Sequence, residues 1–186
     1  MKRLSMYLCY FLRHRPEAAG LKMDEQGWVD VDALIDGVNK KGKFTLDRMK
    51  LDEIVKGDSK GRYKYSEDRS RIKACQGHSI PWVKPELQVM APPRYLYHGT
   101  TTDAFEKIMK SGKISRMSRH AVHMQEDKEK AWQSAVRWRK TPVVLKIDAQ
   151  SMSLAGFVLG KTENDVWCTE EVPSEFIVDQ LFGIEE

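Results

Sequence analysis

Four prolines, Pro81, Pro85, Pro92 and Pro93, punctuate a short stretch near the middle of the chain. Proline removes a backbone donor and clashes with the preceding helical turn, so no regular helix or inner strand is expected to run through it. Residues 81–94 therefore read as a linker between a lobe at 1–80 and a lobe at 95–186. A chain of 186 residues is long enough for two such lobes.

The two halves differ in charge. Up to residue 91 there are 18 Lys+Arg against 13 Asp+Glu, a net +5, and from residue 92 there are 13 against 14, a net −1. A basic first half suits an anionic partner such as nucleic acid, although a solvated basic surface would carry the same count. Apolar residues at 41% are ordinary for a globular protein. No apolar run reaches the length of a bilayer span. The apolar stretch within residues 1–20 is broken by Tyr7, Cys9, Tyr10 and Arg13, unlike a signal peptide. Cys9, Cys75 and Cys168 are far apart and odd in number, which implies neither a disulfide framework nor a metal site. A soluble, cytoplasmic protein without a membrane partner is expected.

Leu4, Leu8, Phe11 and Leu12 recur at helical spacing and predict a helix over 3–14, closed by Arg13-His14-Arg15 and Pro16. Trp28–Val31 alternates as a short strand. A second helix is expected from Val31 to Val38, and a third after Thr45 as N-cap, ending near Gly57. Strands at Arg62–Ser66 and Arg71–Cys75 flank a turn. Three helices followed by a hairpin is the pattern of a winged helix. Beyond the prolines, strands are expected at Tyr95–Tyr97, Pro142–Ile147, Phe157–Leu159, Val166–Thr169 and Phe176–Val178. Helices are expected after a capping-box-like Asp103/Glu106 start and over Lys128–Arg139. The fold class is α+β.

One motif misleads. Gly156-Phe-Val-Leu-Gly160-Lys161-Thr162 resembles a phosphate-binding P-loop, but three residues separate its glycines instead of four, and a strand-like segment follows where a helix should begin. There is no G-x-G-x-x-G either, so a dinucleotide site would not be of Rossmann type.

The informative stretches are Leu12-Arg13-His14-Arg15-Pro16-Glu17, Asp58-Ser59-Lys60-Gly61-Arg62-Tyr63, Gln76-Gly77-His78-Ser79, Tyr97-His98-Gly99-Thr100 and Met117-Ser118-Arg119-His120-Ala121-Val122-His123-Met124. Each has an ordinary explanation alone: cations at a helix C-terminus, a solvated strand arginine, a core histidine. Together with Gly27-Trp28-Val29 and Asn164-Asp165-Val166-Trp167 they make the chain resemble the RNA 2′-phosphotransferases over nearly its whole length.

The resemblance implies an N-terminal winged-helix lobe that binds RNA and a C-terminal ADP-ribosyltransferase-like lobe that binds NAD⁺. It implies a catalytic quartet of Arg13, His14, Arg62 and Arg119. Arg13, His14 and Arg62 would grip RNA phosphate, joined by Lys73, Gln76, His78 and Ser79. His98, Gly99, Thr100 and Arg119 would serve the NAD⁺, which is consumed as co-substrate. The RNA 2′-phosphate would displace nicotinamide from the ribose of NAD⁺. The neighbouring ribose hydroxyl would then take the phosphate as ADP-ribose 1″,2″-cyclic phosphate, leaving RNA with a free 2′-OH. The implied partner is 2′-phosphorylated RNA such as spliced tRNA, handled by a monomer without a metal. Departures from the family pattern are Lys73 where arginine is usual, Asp165 where glycine is usual, and Val136-Arg137-Trp138-Arg139-Lys140, to which no role carries over.

These residue types suit the chemistry. A phosphate monoester, with a second pKa of about 6, is already an anionic nucleophile and needs no general base. It needs positioning and partial neutralisation, which arginine forks provide. Two rivals remain at this stage. One is an ADP-ribosyltransferase acting on nucleic-acid ends or protein, and the other is a non-enzymatic winged-helix nucleic-acid binder.

Overall fold

The apolar spacing near the N-terminus does make a helix. In the computed structural model, which describes residues 2–84 and 86–183, α1 (Lys2–Arg13) buries Leu4, Leu8, Phe11 and Leu12. The chain divides into two compact units, Met1–Glu86 and Leu87–Glu186.

In the first unit, α1 is followed by a single 3-10 turn, Pro16–Ala19, which ends at Gly20 in the left-handed region. Strand β1 (Val29–Asp30) runs straight into α2 (Val31–Lys40), because the Asp30 carboxylate accepts the Ala33 N–H and caps the helix. The next helix, α3 (Arg48–Lys56), starts later than the Thr45 reading expects. Asp47 is the cap, accepting the Lys50 N–H at 2.8 Å. The preceding loop cannot join the helix because the Asn39 amide holds the Leu46 backbone at both its N–H and its carbonyl. Hairpin strands β2 (Tyr63–Tyr65) and β3 (Arg71–Ala74) form with β1 an antiparallel sheet of order β1-β3-β2. Val31, Leu34, Val38, Leu51 and Ile72 close the core against α1. Burying each such side chain contributes about 1.5–3 kcal/mol.

The segment read as a linker is structured on both sides of the division. Val83 is buried and the Lys84 N–H donates to the Glu25 carbonyl in the first unit. In the second unit β4 (Gln88–Val89) pairs with a strand from much later in the chain.

The second unit is built on β5 (Tyr95–Thr101), α4 (Thr102–Ser111), β6 (Lys113–Ser115), β7 (Val122–Met124), α5 (Lys128–Ala135) and β8 (Pro142–Asp148). They are followed by α6 (Ala149–Leu154), β9 (Gly160–Lys161), β10 (Trp167–Thr169), β11 (Glu171–Pro173) and β12 (Ile177–Leu181). The sheets have orders β12-β8-β5, β4-β9-β10-β7 and β11-β6, with antiparallel pairing throughout. Strand β5 is longer than its apolar stretch suggests, since pairing with β8 carries it through His98, Gly99 and Thr100. Thr101, not Asp103, caps α4 through the Ala104 N–H. The helix at 128–139 is shorter than expected: it tightens into a 3-10 turn at Val136–Trp138 and stops at Arg139, whose φ of 51° is left-handed. The P-loop lookalike ends in strand β9, with no helix behind it. Leu96, Met124, Val143, Leu145, Ile147 and Trp167 fill the core. The fold class is thus α+β with antiparallel sheets. Among the described residues, no helix is long and apolar enough to cross a membrane.

Candidate functional site

The C-terminal end of α1 gathers the candidate residues of the first unit. After β3 the chain passes through Gln76 and Gly77, whose φ of 85° turns it, and returns to the helix. There the Ser79 N–H donates to the Arg13 carbonyl at 2.9 Å. Ser79 Oγ lies 2.8 Å from His14 Nδ1. The turn therefore satisfies an orphan helix carbonyl and fixes the His14 ring in one step. Arg62 joins the same hydrogen-bonded path, since its carbonyl accepts the Cys75 N–H at 2.8 Å.

Two arginines of this unit are held in different ways. Arg13 Nε and Nη2 are buried and have no acceptor among the described residues. A buried guanidinium edge without a partner is costly. Arg62 is held by Asp58, whose buried carboxylate accepts both the Arg62 backbone N–H and its guanidinium. This explains the D-x-K-x-R spacing: one carboxylate shapes the turn and aims the arginine. The sequence reading quoted Asp58 and gave it no role. Behind the site, Tyr63 donates to the Ser5 carbonyl at 2.6 Å. Burial pushes the Tyr63 hydroxyl pKa up, reinforced by the Cys9 thiol and opposed by Arg13.

Two residues expected at RNA phosphate, Lys73 and His78, are buried. Lys73 is 3% exposed; its ammonium lies 4.6 Å from the centre of the Trp28 ring and 3.4 Å from Glu86. His78 is 1% exposed and packs against Gly27, where an added Cβ would come within 2.9 Å of its Nε2. Gly27 also needs its φ of 85°, so Gly27-Trp28-Val29 is the bed for His78 and Lys73. Gln76 is partly exposed at the turn.

In the second unit, Gly99 and His98 lie on opposite faces of β5. An added Cβ on Gly99 would meet the Ala131 carbonyl oxygen at 1.9 Å, so the glycine lets α5 lie directly on that face. His98 and Thr100 project from the opposite face. His98 Nδ1 lies 2.9 Å from the His123 carbonyl. A carbonyl only accepts, so Nδ1 carries the proton. Burial pushes the His98 pKa down, against the raising effect of that hydrogen bond, and keeps the ring neutral. Nε2 is then an acceptor, suited to a sugar hydroxyl. Reciprocal backbone bonds between Tyr97 and Gln125, both 2.8 Å, hold β5 beside the end of β7. Arg119 lies exposed on the β6–β7 connection, where its N–H donates to the Arg116 carbonyl. The first unit thus brings Arg13, His14, Arg62 and Ser79 onto one path, and the second brings His98 to the strand that follows Arg119.

The Asn164-Asp165-Val166-Trp167 stretch turns into β10, which pairs with β7. Thr162 Oγ1 accepts the Val166 N–H and donates to its carbonyl, and Asp165 takes a left-handed φ of 60°. Trp167 Nε1 donates to Glu126 at 2.8 Å. That bond, followed by one from Lys161, holds the Glu126 carboxyl below its ordinary range.

Comparison with known proteins agrees with the motifs. The sequence model of the family described as "RNA 2'-phosphotransferase, Tpt1 / KptA family" matches residues 1–171. A protein of Flavobacterium johnsoniae named "Probable RNA 2'-phosphotransferase" is 44% identical over 95% of this chain and 94% of its own length. Like-named proteins of Pseudomonas fluorescens, at 43% over 93% of both chains, and Fusobacterium nucleatum, at 40% over 94% and 96%, are also similar. With the family model spanning both units and the quartet residue types in place, the chain belongs to the RNA 2′-phosphotransferase family.

Proposed function

We propose that this chain is an NAD⁺-dependent RNA 2′-phosphotransferase that removes an internal 2′-phosphate from RNA such as spliced tRNA. The observation that carries the reading is the buried edge of Arg13, Nε and Nη2, without an acceptor beside the His14–Ser79 pair. The 2′-phosphate is the missing acceptor. Arg62, aimed by Asp58, takes a second face of the phosphate, and His14, held by Ser79 at Nδ1, donates from Nε2 or moves a proton. Each such charged hydrogen bond contributes about 1.5–3 kcal/mol. Gln76 contacts neighbouring backbone phosphate, while Lys73 and His78 support the turn from beneath.

In the second unit the acceptor Nε2 of neutral His98 and the hydroxyl of Thr100 fit a nucleotide ribose. Gly99 keeps α5 on the far side of β5 so that this face stays formed. Bound NAD⁺ supplies an electrophilic ribose carbon with nicotinamide as its leaving group. Arg119 stabilises charge on the phosphate during its transfer. The first unit, three helices and a hairpin, serves as a winged-helix RNA lobe, and the second as an ADP-ribosyltransferase-like lobe. The same reading makes the protein a cytoplasmic monomer; all three thiols are free, as suits a reducing compartment.

The test is incubation with an oligonucleotide bearing one internal 2′-phosphate, with and without NAD⁺. The expected result is conversion to 2′-OH RNA only with NAD⁺, lost by at least about a hundredfold in Arg62→Ala. ADP-ribose added to RNA ends or to protein, with the internal 2′-phosphate untouched, would show the rival transferase instead.

A further inference from the structure

We propose that the outer face of α1, with the lysine-rich segment after α2, is a track for the single-stranded RNA that flanks the 2′-phosphate. This rests on the RNA reading above and extends it to residues outside the quartet. At about 100° per residue, the side of α1 opposite Leu8 and Leu12 carries Arg3, Tyr10 and, just past the helix end, His14, with half-buried Tyr7 at its edge. The face is open: Met6 is 66% and Tyr10 44% exposed. The Tyr7 ring lies 5.3 Å from that of Phe44, and Lys43 Nζ sits 5.3 Å from the centre of the Tyr7 ring. Helix α1 and the 39–44 segment therefore form one surface.

The charge on this surface is predominantly positive. Residues 2–16 hold Lys2, Arg3, Arg13 and Arg15 with no carboxylate, and residues 37–46 hold Lys40, Lys41 and Lys43 with none. Arg15 pairs with Glu17 at the end of this strip, whereas Lys40, Lys41 and Lys43 have no carboxylate among residues 37–46. Cations beside an open aromatic ring suit a single strand: the charges follow its phosphates and the Tyr10 ring stacks a base. The strip also leads to the right place. Tyr7 to His14 is about 10 Å of helix rise, close to three stacked nucleotides at ~3.4 Å each, and it ends at the proposed 2′-phosphate grip.

The experiment measures binding of fluorescently labelled RNA without a 2′-phosphate and without NAD⁺, using a trinucleotide and a strand of about twelve nucleotides. The proteins are the parent, the triple variant K40E/K41E/K43E, Tyr10→Ala and Tyr10→Phe. The parent is expected to bind the longer strand more tightly. The triple variant should lose that preference by about tenfold or more, with the slope of log affinity against log salt reduced by about two. Tyr10→Ala should weaken the longer strand by about fivefold or more, and Tyr10→Phe should restore it. If the triple variant binds the longer strand as the parent does, or loses both lengths by the same factor, the track is refuted. The measurement needs no turnover, so a parent that binds along this face but leaves a 2′-phosphate in place overturns only the phosphotransferase reading.

Discussion

At Asp165 the backbone takes φ 60°, a conformation that costs most L-residues about 1–2 kcal/mol and glycine nothing. This accounts for the glycine usual at the position in the family and shows how aspartate replaces it. Asp tolerates the left-handed region better than most residues, and its carboxylate lies 3.1 Å from Lys161. Asp165→Gly should therefore leave stability within about 0.5 kcal/mol of the parent, while Asp165→Ala should lose about 1–2 kcal/mol. Denaturant unfolding of the two variants tests this, and an alanine as well tolerated as glycine refutes it. His98 makes a pH-dependent prediction. Its pKa is lowered in the folded protein, first by burial, so the unfolded chain takes up the proton first, near pH 6.5. The contribution to stability is complete above that pH and is lost as pH falls from there through the lowered folded value. Between pH 7.5 and pH 5.5 the parent should lose more unfolding free energy than His98→Asn, whose amide can still donate to the His123 carbonyl. Equal losses would place the titration elsewhere.

At the scale of elements, the contact of α5 with β5 depends on one missing methyl group. Gly99→Ala would set a Cβ 1.9 Å from the Ala131 carbonyl oxygen, and backbone on both sides leaves no flexible atom to give way. The expected cost is about 3 kcal/mol, read as a lowered midpoint in thermal or denaturant unfolding. A variant as stable as the parent would mean that α5 does not seat on β5. Helices with a strong apolar stripe, such as α1 and α2, were legible because tertiary packing only confirmed their period. Strands β6, β7 and β11 span three residues each and take their form from partners far along the chain, so periodicity could not reveal them. The caps at Asp47 and Thr101 were misplaced because a nearby side chain can cap only where the loop delivers it. The same reason hid Asp58: its role needs the turn that brings it back to Arg62. Resemblance supplied the quartet and named Ser79, but not the His123 carbonyl that orients His98 or the hydrogen bond by which Ser79 orients His14.

For the whole molecule, the division between Glu86 and Leu87 coincides with the division of charge, since residues 87–91 carry none. The basic unit holds the candidate phosphate grip, and the near-neutral unit holds His98 and Arg119. Such a protein should separate two tasks that a single pocket would combine: holding the RNA phosphate, and stabilising its charge as it is transferred. Arg119→Ala distinguishes them. The side chain is exposed and outside the core, so its loss should leave the fold intact. If Arg13, His14 and Arg62 suffice to position the phosphate for displacement of nicotinamide, that release should continue. Transfer of the phosphate away from RNA should slow by about 10²–10³-fold, the effect of losing one transition-state donor. Nicotinamide and 2′-OH RNA, measured in the same reaction, should then appear in unequal amounts, with nicotinamide in excess and the phosphate still on the RNA. Should both products fall together, Arg119 acts on binding or on the first displacement, and the proposed division of labour between the units is wrong.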